Sequence, residues 1–90
     1  DEAASMGMIY KVFEDEQLFE EAFRMAMQLA KMPTRGLWLT KKLLNESMSN
    51  TLEAQLKREG QVQTEAGATA DHQEGVKAFL EKRPPVFSGN

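Results

Sequence analysis

The chain has 90 residues and a mass of 10.2 kDa, enough for one small domain with a marginal core, because a chain this short buries only roughly two thirds of its unfolded surface. Its 14 acidic and 11 basic residues give a net charge of -3, which argues against a nucleic-acid binder. The sequence contains no run of about 18 apolar residues, so no membrane span is predicted. It also contains no cysteine, which excludes disulfides, thiolate metal sites and cysteine nucleophiles. The chain begins with Asp1 and shows no signal peptide, which predicts a cytoplasmic piece of a longer protein.

The first 13 residues predict the end of a helix followed by one short strand. Residues 1–6 are typical of a helix that ends at Gly7, where a left-handed cap conformation suits glycine. Residues 8–13 are rich in β-branched and aromatic side chains and predict a strand. Because six residues form no stable helix alone and a lone strand leaves its backbone groups unpaired, we expect both elements to have partners elsewhere.

Longer helices are predicted from apolar spacing at residues 15–31, 34–48, 50–66 and 71–82. The first of these carries a broad apolar stripe from Leu18 to Ala30. Their predicted N-caps are Asp15, Thr34, Asn50 and Asp71, with Glu53 and Glu74 completing capping boxes in the last two. The predicted buried positions of the second and last of these helices are Leu37, Trp38, Leu44, Met48, Val76, Phe79 and Leu80.

No residue pattern in the chain identifies a reaction. His72 is the sole histidine. The sequence contains no G-x-S-x-G motif that would pair it with a nucleophilic serine and no further histidine for a zinc site, so His72 is interpreted as a solvated side chain. Glu59, in the middle of a predicted helix, is interpreted as structural. The glycines form no phosphate-binding loop. Taken alone, the residues predict a helical, oligomer-prone fragment.

The segment Asp71–Gly89 resembles the C-terminus of the crotonase (enoyl-CoA hydratase/isomerase) family, which typically closes with D-x-x-E-G-x-x-A-F-x-E-K-R-x-P-x-F-x-G. The chain matches every fixed letter of this pattern. Upstream, Glu2–Val12 looks like the family's passage from helix to strand, E-A-x-x-x-G followed by apolar residues. Within the family the chain looks most like the isomerases of phenylacetate catabolism, which act on ring-epoxidised phenylacetyl-CoA. Further similar positions are Pro33-Thr34, Thr40-Lys41, Thr51-Leu52 and Gln55-Leu56 with Glu59.

The resemblance implies an all-α chain that forms the C-terminal helical (trimerisation) region of the crotonase fold, with about four helices and one short N-terminal strand. Residues 1–13 would end the spiral core segment, and residues 14–90 would form the C-terminal helical domain. In the family, the preceding body supplies both the acid–base carboxylates and the two backbone N–H groups that stabilise a thioester enolate. No catalytic residue is therefore expected in these 90 residues, which should be inactive alone.

The resemblance also implies a substrate-binding role for Phe79 and Lys82, at the adenine and phosphate end of coenzyme A. An aromatic ring offers apolar contact to adenine, and an ammonium can pair with phosphate. The ordinary alternative is a core phenylalanine and a solvated lysine. Coenzyme A would enter as part of the acyl-CoA substrate, with no separate cofactor and no metal. We expect a homo-oligomer, a trimer or hexamer, without nucleic-acid or membrane partners.

Two other interpretations remain open from the sequence. One is a free-standing helical interaction module whose methionine-rich surface binds a partner helix. The other is a small acyl-CoA-binding domain without catalysis. Both predict a start codon just before Asp1, whereas the enzyme interpretation predicts a coding sequence that extends upstream and encodes oxyanion-hole loops.

Overall fold

The chain is all-α in the computed structural model, which describes residues 1–90. This confirms the predicted fold class. None of the helices is long and apolar enough to span a lipid bilayer. In chain order the helices are α1 (Glu2–Ser5), α2 (Asp15–Ala30), α3 (Thr34–Ser47), α4 (Leu52–Gly67) and α5 (Ala70–Leu80).

The predicted strand at residues 8–13 is wrong, because this segment consists of bends and irregular backbone. A strand needs a neighbour to pair its amides and carbonyls, and no other segment of the chain is extended beside it. The N–H groups of Met8 and Ile9 instead donate to the carbonyl of Ala3, at 2.9 and 3.4 Å. Gly7 has φ +76°, which confirms the predicted left-handed end of the first helix. The division at residues 13 and 14 stays a prediction.

The helix starts differ from the predicted caps by one or two residues. Thr51 caps α4 and Thr69 caps α5, each through a side-chain oxygen that accepts a backbone N–H, at 3.2 and 3.1 Å. Asn50 is not the cap, because it donates its amide to Gln55 at 3.0 Å. Asp71 lies inside α5, and its carboxylate bonds the end of the chain. The other two predicted caps are the first helical residues, Asp15 of α2 and Thr34 of α3.

The buried core is small and lies where α3, α4 and α5 meet. Its apolar members are Leu39, Val62 and Ala78, one from each helix. The predicted burial of the α3 positions is wrong, because α3 is apolar on several faces and only the face with Leu39 is covered. Helix α2 has no buried residue, so its apolar stripe is open. The four positions that were predicted as buried are all exposed: Leu37, Trp38 and Leu44 in α3, and Met48 just after it.

The molecule is a thin plate. Its principal extents are 42 × 40 × 18 Å, and its radius of gyration is 16.6 Å. A compact domain of this length would have a radius of gyration of about 12 Å. Since a helix with its side chains is about 10–12 Å across, the plate is less than two helices thick. Most of the large apolar side chains therefore lie at the surface.

Candidate functional site

The last residues of the chain fold back onto α5, and Asp71 holds them there. Asp71 is 3% exposed. Its Oδ1 accepts the N–H of Ser88 at 2.7 Å and the Ser88 hydroxyl at 3.2 Å, and its Oδ2 accepts the N–H of Gly89 at 2.8 Å. The backbone N–H of Asp71 donates to the carbonyl of Asn90 at 2.8 Å. A buried carboxylate needs such partners, so these bonds fix the tail to the start of α5.

Glu74 holds the tail at a second point. Its Oε1 and Oε2 accept Nη1 and Nη2 of Arg83 at 2.6 and 2.9 Å, a bidentate pair, and Oε1 also accepts the N–H of Val86 at 2.9 Å. The guanidinium of Arg83, and next the Val86 amide, lower the pKa of Glu74 from 4.5 to about 2. The bonds to Glu74 and Glu81 raise the pKa of Arg83. Glu74 thus fixes the chain on both sides of the Pro84-Pro85 pair.

Two glycines lie where the tail contacts the helices. A Cβ on Gly75 would lie 3.7 Å from the ring of Phe87, so this ring rests over the helix backbone. Gly89 has φ +88°, which favours glycine, and a Cβ there would lie 2.7 Å from Oγ1 of Thr34, so that the threonine side chain would have to shift. Both glycines belong to the sequence pattern at residues 71–89, but only Gly89 has a steric reason, because 3.7 Å at Gly75 is an ordinary van der Waals distance.

An apolar groove of about 460 Å³ lies beside α5 and the tail. Val76, Phe79 and Leu80 line it and are exposed, so the prediction that they form a buried edge of the last helix is wrong. The physical reason is that α5 packs through the face that holds Asp71 and Ala78. The remaining lining residues are Pro33, Gly36, Ala66, Thr69, Asp71, His72, Gly75 and Phe87.

The two predicted substrate-binding residues lie in one turn at the end of α5. Phe79 is 81% exposed. Lys82 has φ +54° and is the single non-glycine residue of the chain in the left-handed region. Its N–H donates to the carbonyl of Phe79 at 3.2 Å, and the N–H of Arg83 donates to that of Ala78 at 3.0 Å, which together form a Schellman turn. This turn therefore carries an exposed ring and a lysine that joins no ion pair.

Sequence reasoning missed the tail contacts of Asp71 and Glu74, which it interpreted as a cap and its box partner. The available signal was the combination of these acids with Arg83 beyond the helix end and a proline pair that reverses the chain. A local capping pattern and a long-range contact use the same residue types. Spacing alone therefore did not distinguish them.

The other two candidates have ordinary surroundings. His72 is exposed at the start of α5. Glu59 is exposed and accepts a hydrogen bond from Nε2 of Gln55 at 3.2 Å. Histidine, aspartate and glutamate side chains do not gather in threes around a common point. The distinctive chemistry of the chain therefore lies at the end of α5.

Comparison with known proteins gives the family. The sequence model described as "Enoyl-CoA hydratase/isomerase" matches residues 1–90. The chain is 46% identical over 89 residues to the 1,2-epoxyphenylacetyl-CoA isomerase of Escherichia coli K12, covering 99% of this chain and 34% of that protein. It is 46% identical over 90 residues to a probable enoyl-CoA hydratase of Rhodobacter capsulatus, covering 99% of this chain and 35% of that protein.

A solved structure has the same fold. It is a putative enoyl-CoA hydratase/isomerase from Mycobacterium abscessus, which superposes with a TM-score of 0.90 at 34% identity and is matched over 98% of this chain and 34% of that one. The chain thus spans about a third of the length of the relatives that it matches. The match over all 90 residues and the shared helical fold show that the chain belongs to the enoyl-CoA hydratase/isomerase, or crotonase, family.

Proposed function

We propose that these 90 residues are the C-terminal part of an enoyl-CoA hydratase/isomerase that acts on acyl-CoA thioesters. The proposed chemistry removes a proton next to the thioester and stabilises the resulting enolate with backbone N–H groups. The sequence of the chain shows no pattern that identifies a reaction, and it spans about a third of its relatives. We therefore assign the reacting groups to the rest of the protein, and we expect these 90 residues to be inactive alone. No cofactor is proposed, because coenzyme A belongs to the substrate.

Phe79 and Lys82 are the proposed contacts to the adenine and phosphate end of coenzyme A. The observation that carries this proposal is the contrast within the pattern at residues 71–89. Asp71, Glu74 and Gly89 have partners in the tail contacts, whereas Phe79 is 81% exposed and Lys82 joins no ion pair. An exposed ring beside an unpaired cation is chemically suited to a planar base that carries phosphates.

The proposed role of the helices is to cover the acyl-CoA pocket and to join subunits into a trimer or hexamer. The open stripe of α2 supports this role, because Phe19 and Phe23 stack with ring centroids 6.4 Å apart and are 82% and 58% exposed. Exposed apolar surface of this kind is typical of interfaces. The thin plate supports it as well, since so little of the chain is buried by its own residues.

For the substrate, we propose a ring-epoxidised phenylacetyl-CoA, by similarity to the Escherichia coli isomerase. The test is to purify the complete protein, measure its mass in solution, and compare its rates on this ring substrate and on crotonyl-CoA. An oligomer that isomerises the ring substrate supports the whole proposal. Activity on crotonyl-CoA alone would support the proposed enzyme activity but contradict the proposed ring substrate. Binding of these CoA thioesters without turnover would favour the alternative of a small acyl-CoA-binding domain. If the protein neither binds nor converts them, the helical interaction module would be favoured.

A further inference from the structure

We propose that Glu74 is a positioning residue for the substrate, because it holds Lys82 in its left-handed conformation by way of Arg83. This inference rests on the proposed function of Lys82 as a contact to the phosphate of coenzyme A. Glu74 itself would touch no substrate atom, since both of its oxygens are occupied by Arg83 and Val86.

The backbone at Lys82 needs support from its surroundings. A residue with a Cβ is disfavoured at φ +54°, and glycine is the usual choice at this position of a Schellman turn. Lysine at such a position persists only where neighbouring contacts fix it, and strained backbone of this kind is concentrated at functional sites. Here the left-handed residue comes directly after the helix cap at Glu81, at the point where α5 stops. The direction of the lysine side chain therefore depends on what holds this turn.

Glu74 is suited to hold the turn. Arg83 directly follows Lys82, and its guanidinium reaches back nine residues along the chain to bind both oxygens of Glu74, at 2.6 and 2.9 Å. The bond from Val86 at 2.9 Å adds a second attachment beyond the proline pair. Lys82 thus lies between the end of a helix and a residue that is fixed to the middle of that helix.

Glu81 also pairs with Arg83, but it cannot replace Glu74 in this role. It accepts from Nε of Arg83 at 2.6 Å, only two residues away in the same turn. Such a contact moves with the turn and does not connect it to the body of α5. Its side chain is also more exposed than that of Glu74, at 46% against 23%. Glu74 is therefore the attachment that orients the turn.

The test measures kcat and KM of the complete enzyme for Glu74→Gln, Lys82→Ala and the double variant. Each is assayed on the CoA thioester and on the matching pantetheine thioester, which lacks the adenosine and its phosphates. We expect each single variant to raise KM for the CoA thioester roughly 10-fold with kcat little changed, the size of one lost charge-assisted contact. The double variant should be no worse than Lys82→Ala, and KM for the pantetheine thioester should not change with Glu74→Gln.

Glu46→Gln is the matched control. Glu46 also pairs with an arginine 12 residues away, at 2.9 Å, and both partners are 30% exposed, but the pair joins α3 to α4. This control should leave KM for both thioesters unchanged. If Glu74→Gln does not fold, Arg83→Lys tests the same contact, because lysine keeps the charge and loses the bidentate geometry.

The outcomes separate the inference from the proposed function. An unchanged KM for Lys82→Ala would remove Lys82 from the site and overturn both. A raised KM for Lys82→Ala with no change for Glu74→Gln would overturn the positioning role alone. The positioning role would also be overturned if Glu74→Gln raised KM equally for the two thioesters, or if the effects of the two substitutions on KM added in the double variant. Either result would indicate a general structural defect.

Discussion

Lys82 and Glu74 represent two kinds of residue within one short sequence pattern. Glu74 forms three hydrogen bonds that define the tail, whereas Lys82 forms none through its side chain. Substitution of a residue of the first kind should change the stability of the fold as well as binding, whereas substitution of one of the second should change binding alone. The free energy of unfolding therefore distinguishes the two.

Lys82→Ala in the complete protein should raise KM for CoA thioesters roughly 10-fold with little change in kcat, because the proposed phosphate contact would contribute equally to the ground and transition states. Steady-state kinetics measures both constants. Lys57→Ala is the control, since Lys57 is an exposed lysine of α4 far along the chain from this turn. A KM that stays the same in Lys82→Ala would contradict the proposed contact.

Glu74 should make part of the stability depend on pH in acid. Its pKa in the folded chain is lowered to about 2 from 4.5, so the ionised carboxylate stabilises the fold above about pH 4.5. This contribution decreases as the pH falls from 4.5 towards 2, where the folded-state carboxylate is protonated as well. Urea unfolding of the wild type and of Glu74→Gln across this range measures it. The difference in the free energy of unfolding between the wild type and Glu74→Gln should decrease as the pH falls from 4.5 towards 2. A difference that stays constant would count against the prediction.

At the scale of elements, the glycines of α4 and of the tail should respond in opposite ways to alanine. Gly60 lies in the interior of α4, and a Cβ there would meet nothing within 4 Å. Gly60→Ala should therefore raise the free energy of unfolding by roughly 1 kcal/mol, which is the difference in helix propensity. Urea unfolding of the complete protein measures this change. A decrease would show that this face of α4 is covered closely in the assembled molecule.

Gly89→Ala should destabilise the tail. The substitution places a Cβ 2.7 Å from Thr34 Oγ1 and fixes an alanine at φ +88°. The left-handed backbone alone costs roughly 1–2 kcal/mol for a residue with a Cβ, and the close contact adds to it. Hydrogen exchange at the amides of residues 88 and 89 should become faster, since both donate to Asp71 in the wild type. Unchanged exchange would mean that the tail can shift without losing these bonds.

The sequence predicted the helices well and their starts poorly. Apolar spacing and the breaks at Gly7 and Pro33 were local signals, and the structure confirms helices in all of the predicted places. Thr51 and Thr69 were missed as caps because Asn50 and Asp71 satisfied the same local rule, whereas the side chain of Asn50 bonds Gln55 and that of Asp71 bonds the tail. The predicted strand is wrong because strand formation depends on a partner outside the segment.

The whole molecule has an apolar surface that should join subunits through α2. Phe19→Asp would place a charge on the open stripe beside Phe23, where Phe19 is 82% exposed in the single chain. Burying that charge is unfavourable, so the complete protein should shift to a smaller assembly. Light scattering after size exclusion measures the mass. Gln17→Asp, which puts the same charge on α2 beside the stripe, should leave the mass unchanged. Equal masses for wild type and Phe19→Asp would remove α2 from the interface.

Burial was the property that the sequence predicted least well across the molecule. The apolar side chains Leu44, Met48, Phe79 and Leu80 are spaced as core residues, yet all are exposed in this chain. Spacing shows that a residue avoids water, but it does not show which surface covers it. The candidate site was therefore predicted as two residue positions, while its support by Glu74 depends on a chain reversal that spacing does not encode.

The thinness of the plate has a consequence for sequence variation. With extents of 42 × 40 × 18 Å and three buried apolar residues, this chain has almost no interior of its own to constrain its evolution. In a saturation mutagenesis of the complete protein, outward positions such as Phe19 and Met48 should tolerate as few substitutions as Leu39 does. The map of tolerance would then outline the surfaces that cover this plate, position by position.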